Sequence, residues 1–438
     1  MSQLKNFEPR LGVVWAPFKN QKTAVRGGFG IFDVLPLPYQ FQLLSALAAP
    51  YLKVGSVVYS NAAAPYSHPQ PGDGQFAHGS YSAVQAPSTL RQSYIQPNPA
   101  RSYLMEWNLN VQQDLGHDLS MYVGFVGSRG VHQPFRTDEA NTVQPIGTIN
   151  GHLTFPKPGT SPVLNPNVGQ IAAIFYNNNT YYDGLEVGLT KTMSHGLQTQ
   201  VSYTYSKAID LGSAILAGDP FGNSISGLFF FAPGTRRGVA DFNVPNEFTV
   251  NYLYQVPEFK KLHGPLGVVT KGWETSGIYF IQNGLPFTPT IGGDSLGLKG
   301  TAPYNVPNRI KNAPGCGSAV HSGQPVGYIN LSCFTFPTPN ADGTTVYGNA
   351  GRNSLLGPSL NSLDFSAMKT THLRGDNDRM NLQFRAEFYN VLNHSNFAPP
   401  LANRTIYSAN GAAMGTAGNI TSTVTTNRQI QFGLKLLF

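Results

Sequence analysis

The sequence predicts an all-β chain whose antiparallel strands form a transmembrane β-barrel wall, and three observations carry this. Apolar and polar residues alternate along paired runs, the connections between runs alternate between short and long, and charge is scarce while aromatics and turn-formers are abundant. Of the 438 residues only 12% are charged and 12% are aromatic, with 47 Gly and 33 Pro; an ordinary soluble domain carries roughly 25% charged residues. Mean hydropathy is −0.18, and no run of about 18 apolar residues occurs, which excludes a bundle of membrane helices. Any membrane residence must therefore use strands.

Taken in order, residues 9 to 16 and 23 to 32 form the first pair of strands. Met105, Trp107, Leu109 and Val111 then alternate with Glu106, Asn108, Asn110 and Gln112, and the turn Leu115-Gly116-His117-Asp118 leads into Leu119, Met121, Val123 and Phe125. Leu185, Val187 and Leu189 lead through Met193-Ser194-His195-Gly196 into Leu197, Val201, Tyr203 and Tyr205. Phe248, Val250, Tyr252 and Tyr254 precede a turn before Trp273, Gly277, Tyr279 and Ile281. Leu363, Phe365 and Ala367 pair with Met380, Leu382, Phe384, Ala386 and Phe388, and the last strand carries Ile430, Phe432, Leu434, Leu436 and Phe438. The expectation is about eleven strands, roughly 11 to 12, each near the nine to eleven residues a tilted strand needs to cross a bilayer. An odd number cannot close an antiparallel barrel, so either a strand is hidden or the wall is incomplete.

Short turns fall near 17–22, 115–118, 192–196, 257–272 and 372–378; long connections run over 33–102, 130–180, 208–245, 285–360 and 392–426. Short periplasmic turns and long extracellular loops are the pattern of an outer-membrane barrel. With the final strand ending in the periplasm, all the short turns fall on that side. Trp15 and Trp273 then sit at the inner interface and Trp107 at the outer one, as an aromatic girdle requires. Lys191, Lys207 and Lys369 share the apolar face, but at strand ends where the ammonium can snorkel. A β-sandwich or solenoid would also alternate, but with strands of about five or six residues and without loops approaching seventy.

The polar partners of the lipid-facing residues are the candidate lumen lining: Glu106, Asn108, Asn110, Gln112, Glu186, Asn251, Glu274, Gln282, Gln383, Arg385, Glu387, Gln429 and Lys435. Their role is either contact with a passing solute or a plug, or a hydrogen-bonded ladder that wets the wall. The net charge of +7 comes from basic residues scattered singly, so no nucleic-acid partner is expected. Cys316 and Cys333, the only cysteines, share a Gly/Pro-rich stretch; they form a disulfide in an oxidising compartment or remain two thiols.

Catalytic and metal chemistry is not expected. Gly293-Asp294-Ser295-Leu296-Gly297 fits G-x-S-x-G but lies in loop sequence, where a nucleophile elbow needs a strand before it and a helix after. Arg374-Gly375-Asp376 and Asp376-Asn377-Asp378 read as turn chemistry, not as an adhesion motif or a calcium loop. His117 and His195 sit in short turns, and no histidine or cysteine spacing indicates a metal. No cofactor is implied.

Several stretches resemble the barrel of TonB-dependent transporters, in particular the Oar-like group. They are PRLGVVWAPFKNQKTAVRGGFGIF, DGLEVGLTKTMSHGLQTQVSYTYSKAID, GWETSGIYFIQNGLPFTP, YGNAGRNSLLGPSLNSLDFSAMK, FRAEFYNVLNHSNF and the closing QIQFGLKLLF. The resemblance implies a single barrel segment over residues 1–438, about half of a large barrel, in the bacterial outer membrane. Its partners would be outer-membrane lipid and the barrel assembly machinery, which would read the terminal Phe438. It also implies a plug domain or TonB energy coupling, supplied if at all by another segment. The opening MSQLKNFEPRLGVVW has no basic segment followed by an apolar one and does not read as a signal peptide; either the product stays in the cytoplasm or, as the internal pattern favours, Met1 lies inside a longer reading frame. The expected function is passage or binding of a large solute without covalent chemistry. The alternatives are an outer-membrane scaffold or adhesin whose loops bind surfaces or polysaccharide, and a fragment without function.

Overall fold

The computed structural model describes residues 6–35, 38, 45–52, 90–137, 139–213, 222, 229–257, 269–300, 305–373 and 380–438. Eleven strands follow one another across a single sheet in chain order, each antiparallel to the next. They are β1 (Arg10–Trp15), β2 (Thr23–Asp33), β3 (Tyr103–Gly116), β4 (Leu119–Thr137), β5 (Ile171–Ser194), β6 (Leu197–Asp210), β7 (Asn246–Gln255), β8 (Trp273–Gln282), β9 (Leu360–His372), β10 (Asn381–Tyr389) and β11 (Gln429–Leu437). Two short segments, Gln92–Ile95 and Gly238–Val239, join the sheet at its long-loop rim. Among the described residues β1 pairs only with β2 and β11 only with β10, so the wall is an open arc with two edges. The Arg374-Gly375-Asp376 and Asp376-Asn377-Asp378 motifs lie outside the described residues.

The register carries the alternation seen in each strand across the whole sheet. Trp15 stands opposite Val25, then Val111, Val123, Val187, Tyr203, Phe248 and Ile281 follow in one row. Because side chains in paired positions share a face, the apolar band is continuous over eight strands. Two hairpin turns set this register. His117 and Asp118 have φ of 53° and 62°, and His195 and Gly196 have 50° and 78°. Both are type I′ geometry, whose twist matches the flanking strands. At Gly196 a Cβ would also run into the Gln255 carbonyl oxygen.

Two strands are longer than the alternation suggested. The span 130–180 is not all connection: β4 continues to Thr137 and β5 begins at Ile171, giving 19 and 24 residues. Pro134, which lacks a ladder donor, is accommodated by register shifts between Gly130 and Gln133 and between Gln133 and Phe135, with His132 at φ 52°. Above these shifts Phe135 and Ile174 are buried.

Among the described residues, four of the long connections are not open loops. Val143, Phe155, Phe229, Phe287, Leu296, Leu298, Val306, Tyr328, Ile329, Phe334, Tyr347, Leu355 and Ile406 meet in one buried core at the long-loop rim. This loop layer, drawn from four connections, is the main hydrophobic core of the described chain. Within it the Tyr328 hydroxyl donates to the Leu356 carbonyl at 2.8 Å, and burial pushes its pKa from 10.0 to about 12. A raised folded-state pKa contributes stability that is complete below the unfolded value and is lost as pH climbs from 10.0 towards about 12. Protease accessibility of the loop layer is therefore expected to rise steeply across that window. Tyr328→Phe, which cannot ionise, should be slightly less stable near neutrality but lack this alkaline component.

Candidate functional site

The two faces of the sheet differ in chemistry. On one, Leu11, Val13, Trp15, Leu109, Phe125, Leu185, Tyr205, Ile281, Ile430, Phe432 and Leu434 are exposed. A contiguous apolar surface of this extent is stable only against another apolar phase. The other face is concave. A hollow of about 640 Å³ is lined on it by Ala24, Gln112, Tyr122, Glu186, Gly188, Thr190, Gln200, Ser202 and Thr204. A second, more mixed hollow of about 280 Å³ is lined by Gln198, Asn251, Ser276, Asp364, Ser366 and Glu387 together with Leu253, Ile278, Phe365 and Phe388.

All thirteen candidate lumen residues lie on this concave face. Glu106 stands between Gly30 and Ser128, Asn108 between Gly28 and Val126, Asn110 between Arg26 and Gly124, and Gln112 between Ala24 and Tyr122. Glu186 lies between Gly124 and Thr204, and Asn251 between Gln200 and Ile278. Glu274 is opposite Gln255 and Met368, and Gln282 opposite Glu247 and Leu360. Gln383 faces Lys435, Arg385 faces Gly433, Glu387 faces Gln431, and Gln429 faces Tyr389. They spread along the arc and do not converge on one point. The hydrogen-bonded contacts are local: the Tyr122 hydroxyl donates to Glu186 at 3.2 Å, and Arg385 lies 3.6 Å from Glu387.

Register adds residues the alternation did not single out. Arg10, Arg26, Asp114, Glu247 and Asp364 also fall on the concave face. Its described strand residues thus include seven carboxylates (Glu106, Asp114, Glu186, Glu247, Glu274, Asp364, Glu387) and four bases (Arg10, Arg26, Arg385, Lys435). The surface is acidic although the chain carries +7. Arg26 and Glu247 each sit in a polar–apolar alternation, so the same periodicity could have found them.

The three tryptophans lie on the apolar face. Trp107 lies over Gly127, where a Cβ would overlap the indole. Trp15 ends β1, and Trp273 opens β8 with Lys369 Nζ 5.5 Å from its ring centroid. Lys191 Nζ reaches Ser194 Oγ at 2.6 Å beside the turn. Phe438 follows the last strand and is exposed.

Above the wall, a buried ion network docks the loop layer onto it. Arg352 Nη1 lies 2.5 Å from Asp210 Oδ1 at the end of β6, and Nη2 lies 2.8 Å from Asp241 Oδ1; all three side chains are at most 4% exposed. Asn353 Nδ2 adds bonds to Asp241 Oδ1 at 2.6 Å and the Val239 carbonyl at 2.8 Å. Burial alone would lower the Arg352 pKa, but the two carboxylates outweigh it and hold the guanidinium above its ordinary value. Nothing in the sequence pattern singled out this network.

Cys316 and Cys333 form a disulfide with Cα atoms 4.9 Å apart, closing a separation of 17 residues at the edge of the loop core. Chain-entropy reasoning gives such a closure about 3 kcal/mol. Reduction, or Cys316→Ser with Cys333→Ser, should raise protease sensitivity around residues 311–333 and leave that of the wall unchanged; equal softening of both would contradict this local placement.

The G-x-S-x-G stretch is an Asp-capped turn. Asp294 accepts from the Leu298 and Lys299 amides, each at 2.7 Å, and Asn305 Nδ2 donates to Ser295 Oγ at 3.0 Å, and residues 297–300, which follow, are not helical. Among the described residues no group of three or more His, Cys, Asp or Glu side chains is placed to hold a metal.

Comparison with solved structures finds transporters and a siderophore receptor. The outer membrane transporter YddB from Escherichia coli aligns at 11% identity and TM-score 0.47, covering 98% of this chain and 40% of that one. The siderophore receptor PirA from Acinetobacter baumannii aligns at 10% identity and TM-score 0.40, over 99% and 41%. The FrpB iron transporter (F5-1 variant) from Neisseria meningitidis aligns at 10% and 0.40, over 98% and 39%. The chain spans about two fifths of the length of each of these. No curated protein matches it. The family described as outer membrane beta barrel domain matches residues 1–431, nearly the whole sequence. The chain therefore belongs to the outer membrane beta barrel domain family and is a β-barrel chain of the bacterial outer membrane.

Proposed function

We propose that this chain forms part of the wall and the outer loop layer of a TonB-dependent, Oar-like transporter, and that a large polar solute passes along its concave face without covalent chemistry. The reading rests above all on the opposite polarity of the two faces of one continuous sheet. An apolar face suits the hydrocarbon core, and a face of Gln, Asn, Ser, Thr and carboxylates suits a wet lumen. The excess of carboxylates favours neutral or cationic solutes over anionic ones. Short turns then lie in the periplasm, the loop layer faces outward to receive the solute, and Phe438 is offered to the barrel assembly machinery. A plug domain or TonB coupling belongs to the proposal only as a contribution of another segment.

A second reading, an outer-membrane scaffold or adhesin, is favoured by the loop layer having its own core and disulfide. Fractionation with a C-terminal antibody, followed by gel migration before and after boiling, tests both readings together: a heat-modifiable full-length band in the outer membrane is expected. Solute uptake that falls when Glu186 and Glu247 are replaced by Gln would separate transport from adhesion. A product found only in the soluble fraction would end both readings.

A further inference from the structure

On the outward face, the apolar band stops at one level and a basic cluster begins immediately beyond it. Phe125, Leu185 and Tyr205 are the last exposed apolar residues of β4, β5 and β6 before the long-loop rim. In the next rows Asp183 stands opposite Lys207, and Arg129 opposite Tyr181. Arg237, from the segment that precedes Gly238–Val239, reaches the same ring. The Arg129 and Arg237 guanidinium carbons each lie 5.2 Å from the Tyr181 centroid. Arg129, Lys207 and Arg237 are exposed, and none of the three is in an ion pair among the described residues. Asp183 is the one carboxylate of the patch; the nearby Arg101 is taken up by Asp33.

We propose that this cluster is a binding site for the phosphate-bearing headgroup of a net-anionic membrane lipid. The position selects the ligand. The patch lies on neither the concave face nor the core of the loop layer, but on the outside of the wall where the apolar band ends. An occupant must therefore present an anion at the level where its acyl chains stop. Two guanidiniums held against one aromatic ring are pre-oriented, and their planar forks match phosphate oxygens bidentately. Lys207 adds a mobile third charge, and basic clusters at a membrane border attract anionic headgroups. Trp107, seated over Gly127 one row below Arg129, places an indole at the same interface. The inference goes beyond solute passage, and it rests on the apolar face meeting lipid.

The test uses the full chain folded in dodecyl maltoside and native mass spectrometry with three probes: dioleoylphosphatidic acid, dioleoylphosphatidylcholine and inorganic phosphate. The folded wild type should retain phosphatidic acid at least tenfold over phosphatidylcholine, with no displacement by millimolar phosphate. Arg129→Gln/Lys207→Gln/Arg237→Gln should lose the preference to within twofold while keeping the same heat-modifiable migration. Arg237→Gln alone, outside the long strands, should lose it several-fold and covers the case in which the triple variant fails to fold. Equal retention of the two lipids, or a preference untouched in the variants, overturns the site and leaves the membrane reading standing. Displacement by inorganic phosphate overturns the lipid assignment in favour of a free anion. Retention of neither lipid overturns the site together with the lipid-facing reading on which it rests.

Discussion

Replacing Arg352 by Met is expected to release the loop layer from the wall at neutral pH, at a cost of about 3 to 5 kcal/mol. The guanidinium is the shared partner of Asp210 and Asp241, both almost wholly buried. Methionine fills a similar volume but leaves two carboxylates facing each other in a site that excludes water. Removing one member of a buried ion network is costly because the remaining charge keeps its desolvation penalty and loses its compensation. Such a cost would raise the population of the detached layer by about a hundred- to a few-thousand-fold, which limited proteolysis of the folded chain can read. The sign of the pH dependence identifies the cause. In the variant the carboxylates that lose Arg352 can be neutralised by protonation, so its deficit relative to wild type should shrink as pH falls from about 7.5 towards 4. A deficit independent of pH would point to lost packing. Asp210→Asn with Asp241→Asn in the Met background should restore part of the loss by the same reasoning.

This network also marks the limit of what the sequence discloses. The wall was legible because a strand half in lipid and half in water must alternate with period two, and Leu109, Val123 and Val187 announce it without any knowledge of their neighbours. Turn residues such as His195-Gly196 fixed the hairpins, and the alternation then placed Glu106, Glu186 and Arg385 on one face. The loop layer has no period. Its order comes from contacts between residues remote in sequence: Arg352 meets Asp210 across 142 positions, and Asn396 donates to the Asn361 carbonyl across 35. Its backbone uses left-handed residues such as Asn353 and Asn390, so local propensity reads it as coil. The upper halves of β4 and β5 were missed for a related reason. Pro134 and Gly130 signal a break, and only the paired register reveals that the ladder resumes beyond a bulge.

The assignment of the two faces makes the other large prediction. Val187 lies at the middle of the apolar band, between Val123 and Tyr203. Arginine there would place a guanidinium against hydrocarbon too far from either border to snorkel, at a cost of about 2 to 4 kcal/mol in a transmembrane barrel. Thr204 lies on the opposite face, between Glu186 and Glu247. Arginine there would meet water and two carboxylates, so Thr204→Arg should be neutral or slightly stabilising. The comparison holds substitution and strand environment nearly constant and changes only the face, so folding yield and urea midpoint in the same detergent or vesicle isolate the solvent on each side. In a soluble sandwich the apolar face would be the dry core, and Val187→Arg would be harmful there too; the distinguishing result is its dependence on lipid. A lipid-facing site becomes less costly as the bilayer thins and the border approaches, so the penalty should fall from vesicles of long-chain to those of short-chain lipid. A penalty indifferent to bilayer thickness would place Val187 against protein and reverse the assignment of the two faces on which the proposed lumen depends.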